Sequence, residues 1–237
     1  MTPCGFSRKH PNSSTPSHAM LPESPPITLR VLVTAGPTEE PIDDVRFIGN
    51  RSSGKMGCAI ANAFVEAGHQ VTLLLGPVCN AGAIDPRVCV KRFRSAQDLN
   101  ELMRFEWPSH TLLIMSAAVA DFRPSSKHAG KLRRGSEPLT IELTPVPDLV
   151  AALGDITSPN QRRVAFALEV REGMLEAARR KLRSKGVDAI VANPLETMEA
   201  SGIDGTLLWS DGTMLAPGWM EKRDFAAWLV AQMSASA

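Results

Sequence analysis

Residues 48–57, IGNRSSGKMG, gather groups that hold phosphate: glycines, two serines, a lysine and an asparagine. Their spacing nearly satisfies the P-loop pattern G-x-x-x-x-G-K-[ST], in which the final hydroxyl meets magnesium. Gly49, Gly54 and Lys55 fit, but Met56 stands where the hydroxyl is required. Context also opposes the motif. A P-loop follows directly on a buried strand, whereas residues 43–48, DDVRFI, are too charged for one. The stretch is still built to hold an anion. It leads into a helix start, where free N–H groups and the helix dipole favour negative charge. Ser52 and Ser53 can cap that helix or donate hydroxyls, and Gly54 lets the backbone approach a ligand closely. Asn50 can hold an oxyanion or orient a carboxylate. An ordinary serine cap beside glycines is the bland alternative.

Three further stretches carry polar chemistry. SAAVADF, 116–122, leaves a strand at its C-terminal end, where open α/β sheets bind ligands. Small Ala117 and Ala118 leave room for a flat base, and Asp121 can pair with a ribose or a base amine. KHAGKLRR, 127–134, places Lys127, Lys131, Arg133 and Arg134 on a glycine-containing loop, which suits either a lid over phosphates or a solvated basic loop. Lys181 and Lys185 are four apart on a helix, so both ammonium groups leave one face and could clamp a polyphosphate. A solvated helix face is the plainer reading of that pair.

The elements that must position these groups follow from apolar patterning. ITLRVLVTAG (27–36), TLLIMSAA (111–118) and VDAIVAN (187–193) read as buried strands, and QVTLLLG (70–76), VCVKRF (88–93) and RVAFALE (163–169) as strands. Between them, Met56, Ile60, Ala63, Phe64 and Ala67 share one helix face ending at Gly68. Ser95 caps a helix over 95–105, and 171–186 is a helix with Gly186 past its end. VPDLVAAL predicts a short helix, LTIEL (139–143) a strand, and 222–233 a closing helix. GTLLWSDGTMLAP (205–217) carries an Asp-Gly hairpin signal. Trp209, Trp219 and Trp228 read as packing residues. Alternating buried strands and helices predict an α/β fold, a Rossmann-like three-layer arrangement with a mostly parallel sheet, here with a C-terminal β-hairpin extension.

Bulk properties narrow the function. The 237 residues are 43% hydrophobic and 22% charged with net charge +1, so charge makes no case for nucleic acid or membrane as a partner. Four cysteines form no C-x-x-C pair and read as reduced thiols of a cytoplasmic protein. The five histidines are scattered without metal-ligand spacing, so no protein metal site is expected. Residues 1–27 are rich in Ser, Pro and His and read as a disordered tail, with Met20 an alternative start; 28–237 reads as a single nucleotide-binding domain.

Taken together, VLVTAGPTEEPIDDVRFIGNRSSGKMG (31–57), SAAVADFRP (116–124), KLRR (131–134), VPDLV (146–150) and ARRKLRSKGVDAIVAN (178–193) resemble phosphopantothenate–cysteine ligase, also called phosphopantothenoylcysteine synthetase, of coenzyme A biosynthesis. The resemblance spans roughly 28–193. In many bacteria that ligase follows a flavin-dependent decarboxylase; none precedes the match here, so a stand-alone form is expected. The resemblance implies that a nucleoside triphosphate reacts with the carboxylate of 4′-phosphopantothenate with Mg²⁺ assisting. CTP serves in most bacteria and ATP in eukaryotic relatives. The amine of cysteine then displaces the nucleotide from the acyl-nucleotidylate. It also implies a homodimer whose strap crosses to the neighbouring subunit.

Residue by residue, the resemblance assigns Asn50 to the acyl intermediate and its conversion, and Lys131 to the strap, where the family's K-x-K-K reads Lys131, Leu132, Arg133 and Arg134. Ala117, Ala118 and Asp121 match base and sugar contacts; Phe166, Lys181 and Lys185 match nucleotide and triphosphate contacts. Gly36, Ser53, Gly54, Pro147 and Asp148 complete the nucleotide-binding set. There are departures. The family's N-P-D-[IL] reads Val146, Pro147, Asp148, Leu149; its F-A-A-E-T reads Phe166, Ala167, Leu168, Glu169, Val170; its A-N-D reads Ala192, Asn193, Pro194. These changes lie on the nucleotide side and bear on the choice of triphosphate. A non-catalytic nucleotide-binding relative is the first competing reading. An NAD(P)-dependent oxidoreductase is the second, opposed by the missing G-x-G-x-x-G and by a chain without tyrosine.

Overall fold

Short runs of Val, Ile and Leu build the centre of the computed structural model, which describes residues 28–80 and 82–235. The expected tail, 1–27, lies outside the described residues. The chain opens with β1 (Arg30–Ala35), whose last five residues are buried. A small antiparallel ribbon follows, β2 (Glu39–Pro41) with β3 (Phe47–Gly49). Then come α1 (Lys55–Glu66), β4 (Gln70–Leu75), β5 (Cys89–Arg92), α2 (Ala96–Glu106) and β6 (Leu112–Met115). A second ribbon pairs β7 (Phe122–Pro124) with β8 (Leu143–Pro145). The remainder runs α3 (Leu149–Ala152), β9 (Arg162–Glu169), α4 (Met174–Lys185), β10 (Ala189–Pro194), β11 (Gly202–Asp204), β12 (Thr206–Trp209), β13 (Met214–Leu215), β14 (Trp219–Glu221) and α5 (Lys222–Ala235).

Eight strands join one sheet in the order β13-β12-β10-β9-β6-β1-β4-β5. From β10 to β5 every neighbour is parallel; β12 and β13 close the other edge as an antiparallel hairpin through the anticipated Asp-Gly turn. A parallel sheet must be covered on both faces, and successive side chains point to opposite faces. Val31, Val33 and Ala35 accordingly face α1 and α5, while Leu32 faces the layer holding α2, α3 and α4. The same alternation runs through Leu73 and Leu74, Leu112 and Leu113, and Val191 and Ala192. Phe64 and Phe225 are fully buried on the first face and Trp107 on the second, each contributing about 2–3 kcal/mol. Among the described residues no helix is long and apolar enough to cross a membrane.

Several expectations need correction. Residues 139–143 do not form a strand; β8 begins at Leu143, is exposed, and pairs with β7 outside the main sheet. An isolated two-strand ribbon offers too little burial for an apolar run to mark it. The helix expected over 171–186 starts at Met174, because Gly173 takes φ 75 and closes the preceding turn. Trp219 lies across Gly202, where any Cβ would meet its ring, yet is 60% exposed, so it packs on one side only.

Candidate active site

At the C-terminal ends of β6, β9 and β10 a cavity of about 580 Å³ opens, where a parallel sheet leaves its strand ends free for ligands. Its floor is held by hydroxyls. Thr34 Oγ1 accepts from Ala117 N at 3.1 Å, Thr38 Oγ1 from Ala120 N at 3.0 Å, and Ser116 Oγ donates to Thr34 O at 2.5 Å. Gly36 O accepts from Ala118 N at 2.9 Å, so the exit of β1 fixes the backbone of 116–120. Ala117, Ala118 and Asp121 line the cavity as the sequence suggests. Asp121 is exposed, and among the described residues its carboxylate has no hydrogen-bond or ion-pair partner.

The loop after β3 forms one wall. Asn50 lines the cavity, and its Nδ2 donates to Val119 O at 2.9 Å, tying the wall to the floor. Ser53 and Gly54 line it too. The serine cap does not form. Gly54 is the N-cap of α1 at φ 71, with no side-chain cap, and Ser52 Oγ only accepts from Gly54 N at 3.4 Å. The first-turn N–H groups of α1 are thereby left to a ligand or solvent. Gly36, also at positive φ, sits beneath Gly54 rather than on the cavity surface: a Cβ on Gly54 would lie 3.5 Å from the Gly36 Cα.

The opposite wall comes from α3, α4 and β9. Pro147, Asp148, Phe166, Lys181 and Lys185 all line it. Asp148 caps α3, Oδ1 accepting from Ala151 N at 3.1 Å. Its Oδ2 meets Lys185 Nζ at 2.5 Å, and Lys181 Nζ lies 2.6 Å from Glu169 Oε1. The two lysines are therefore not a pair of free cations; each is balanced by a carboxylate that a triphosphate would have to displace or share. Buried Arg163 holds this wall in place, donating to Val150 O at 2.8 Å and to Gly186 O at 2.6 Å.

Lys131 is not brought to this cavity. It is exposed, between two residues tethered to the turn of the β2–β3 ribbon. Gly130 N donates to Asp44 Oδ2 at 2.9 Å and Leu132 N to Asp43 Oδ2 at 3.0 Å. Asp43 also accepts from Val45 N and Arg46 N, both at 2.7 Å. Burial works against this anion, but the three backbone donors and the Arg46 guanidinium hold its carboxyl at about 2. The basic loop is thus tied down at 130–132 rather than free over that length.

Lys55, singled out in sequence only as part of the near-P-loop, also lines the cavity, as do Glu199 and Lys222, which sequence reasoning missed. Lys222 reads in sequence only as the first residue of the closing helix; the pairing of β11 with β14 carries it to the cavity.

Residues 27–236 match the family described as DNA/pantothenate metabolism flavoprotein C-terminal domain. The chain is 44% identical over 197 residues to the coenzyme A biosynthesis bifunctional protein CoaBC of Mycobacterium bovis, covering 78% of this chain and 47% of that protein. CoaBC of Vibrio vulnificus is 38% identical over 196 residues, covering 79% of this chain and 47% of that protein. The crystal structure of the C-terminal domain of a CoaBC superposes with TM-score 0.74 at 34% identity, over 88% of this chain and 95% of that chain. The chain spans about half the length of the curated relatives it matches.

Proposed function

The chain belongs to the DNA/pantothenate metabolism flavoprotein C-terminal domain family, and on that premise we propose that residues 28–237 are a ligase joining 4′-phosphopantothenate to cysteine. One observation carries the reading: a single cavity is lined by Asn50, by the uncapped start of α1, by the floor at 116–121 and by the wall holding Phe166, Lys181 and Lys185.

A carboxylate is a poor electrophile until it is esterified to a good leaving group. The substrate carboxylate attacks the α-phosphorus of a nucleoside triphosphate, the P–O bond to pyrophosphate breaks, and an acyl-nucleotidylate forms. The amine of cysteine then adds to the acyl carbon, loses a proton, and expels the nucleoside monophosphate to leave the amide. Bringing two polyanions together is opposed by their repulsion, and fixed N–H dipoles and ammonium groups offset it. In this reading Phe166, Ala117 and Ala118 receive the base, and Asp121 the sugar. Pro147, Asp148, Lys181 and Lys185 receive the triphosphate. Ser53, Gly54 and the first turn of α1 face the acyl phosphate, with Gly36 supporting them, and Asn50 orients the acyl group. Lys131 acts from the strap on the site of a second copy in a homodimer.

A magnesium ion would arrive with the triphosphate, where it supplies charge neutralisation. Hard divalent cations take one or two protein carboxylates beside phosphate oxygens. Asp121, whose carboxylate has no partner among the described residues, fits that donor set. The nucleotide is CTP or ATP, and the setting is the cytoplasm.

Pyrophosphate release in the presence of Mg²⁺, 4′-phosphopantothenate and cysteine, with CTP and ATP in separate reactions, tests the proposal. Release that depends on the phosphorylated acid, with amide product from the wild type but not from Asn50→Ala, is expected. Folded protein that releases no pyrophosphate with either nucleotide would refute the catalytic reading.

A further inference from the structure

Four lysines line the cavity, and they divide by origin. Lys181 and Lys185 come from the face of the sheet that carries α3 and α4, and each is balanced by a carboxylate. Lys55 and Lys222 are the first residues of α1 and α5, which pack together on the other face. Neither has a carboxylate within ion-pair distance among the described residues. Lys222 Nζ donates to a single acceptor, Ala200 O. An ammonium carries three donors, so this one is under-coordinated in a partly enclosed place. Burial, with the nearby Lys55 charge second, lowers the Lys222 pKa. Two like charges held together in a cavity repel until an anion sits between them.

The third group is Glu199. Its charge is felt at Lys222 in the opposite sense to that of Lys55, as is the charge of Glu221, but of these two carboxylates only Glu199 lines the cavity. Its backbone has φ 62, the one positive φ outside glycine among the described residues. That conformation costs an L-residue about 1–2 kcal/mol, and strain of this kind persists where the surroundings over-determine it. The turn responsible lies between β10 and β11, closed by Ala200 N donating to Thr197 O at 3.3 Å. The ladder of β11 with β14 and the bond from Lys222 N to Ser201 O, 3.2 Å, then set Lys222 against it.

Two unbalanced ammonium groups and one carboxylate in one corner are the charge pattern of a zwitterion in reverse. A phosphate dianion would gain from the lysines but be repelled by Glu199; an amino acid satisfies all three. We propose that Lys55, Lys222 and Glu199 form the amino-acid subsite, the two lysines holding the α-carboxylate and Glu199 the α-ammonium before it loses its proton. This rests on the ligase reading. It makes these residues determinants of specificity for an amine that carries an adjacent carboxylate.

Cysteamine, which is cysteine without the carboxylate, separates the roles. Wild type, Lys222→Gln and Glu199→Gln are assayed for amide formation with each amine, with Lys222→Arg as the conservative variant and Lys55→Gln as a second probe should Lys222→Gln not fold. Charged hydrogen bonds of this kind correspond to a change of about 10- to 100-fold. Lys222→Gln is expected to raise the KM for cysteine by that factor and leave cysteamine unchanged, with Lys222→Arg restoring most of the difference. Glu199→Gln is expected to raise KM for both amines. The KM values for the phosphorylated acid and the nucleotide stay as in the wild type. An unchanged preference for cysteine over cysteamine in both lysine variants overturns the subsite, as does a KM rise confined to the nucleotide or the acid. Pyrophosphate release on forming the acyl-nucleotidylate is followed in parallel. Its absence in the wild type would sink the ligase reading and the subsite together, whereas its presence with an unchanged amine preference sinks the subsite alone.

Discussion

Replacing Gly57 by alanine sets two magnitudes against each other. Gly57 lies in the first turn of α1, so alanine there gains about 1 kcal/mol of helix propensity. A Cβ at this position would come 2.5 Å from the Ala35 Cβ, 2.6 Å from Ser116 Oγ and 3.1 Å from Thr34 O. The hydroxyl could rotate only by giving up its bond to Thr34 O, and the methyl and carbonyl both belong to β1. Overpacking against such neighbours costs about 2–3 kcal/mol. Packing wins, and Gly57→Ala is expected to destabilise by about 1–2 kcal/mol. For a domain of this size that lowers Tm by roughly 2–8 °C, readable by calorimetry or by the urea midpoint. The start of α1 must also lift from the strand, carrying Ser53 and Gly54 away from 116–118, so kcat/KM for amide formation is expected to fall about tenfold or more. A variant with a raised Tm and unchanged kcat/KM would refute both the close contact and the part α1 plays in the site.

Arg163→Met keeps the volume but leaves Val150 O and Gly186 O without their donor. A loss of about 2–4 kcal/mol in urea unfolding is expected, with a weaker nucleotide KM because α3 and the end of α4, the helix that bears both lysines, loosen. Burial pushes the Cys58 thiol from its ordinary 9.0 up to about 11. Between those values the unfolded chain releases a proton that the folded chain retains. Stability is therefore unaffected below about pH 9 and falls as pH rises toward 11, by up to roughly 3 kcal/mol; Cys58→Ala should flatten that stretch of the Tm-versus-pH curve. Asp43→Asn weakens the acceptor of Leu132 N and of Arg46. Trypsin is expected to cut within 131–134 several-fold faster in this variant, and Tm is expected to fall because a buried acceptor of four hydrogen bonds loses its charge.

The central strands can be read from sequence because a parallel strand buried on both faces is a continuous apolar run, as in Val31, Leu32 and Val33. The start of α2 can be read because Ser95 and Asp98 form a reciprocal cap, and the end of α4 because Gly186 takes φ 59. The β2–β3 and β7–β8 ribbons are not readable. Their strands have three residues each and mostly exposed side chains, and they are held by Asp43, Asp44 and ladder bonds rather than by apolar burial. In the site, the residues that share one continuous motif, such as Asn50, Ser53 and Gly54, are visible together. The partners of Lys181 and Lys185 are not, because Glu169 and Asp148 meet them only through the stacking of α4 on β9 and α3. Lys222 is hidden for the same reason: its surroundings are set by a ribbon and a turn that local propensity does not encode.

The ends of the main sheet bear on how the protein behaves when crowded. One edge strand, β13, has two residues; the other, β5, has four, among them Lys91 and Arg92. Lys91 is committed to Glu106 on α2, so a charged side chain lies along that edge rather than swinging clear of it. Short and charged margins offer an incoming strand few free N–H and C=O groups and a desolvation cost for reaching them. The largest sheet in the molecule is thereby a poor template for edge-to-edge aggregation, although its interior strands are among the most β-prone stretches of the chain.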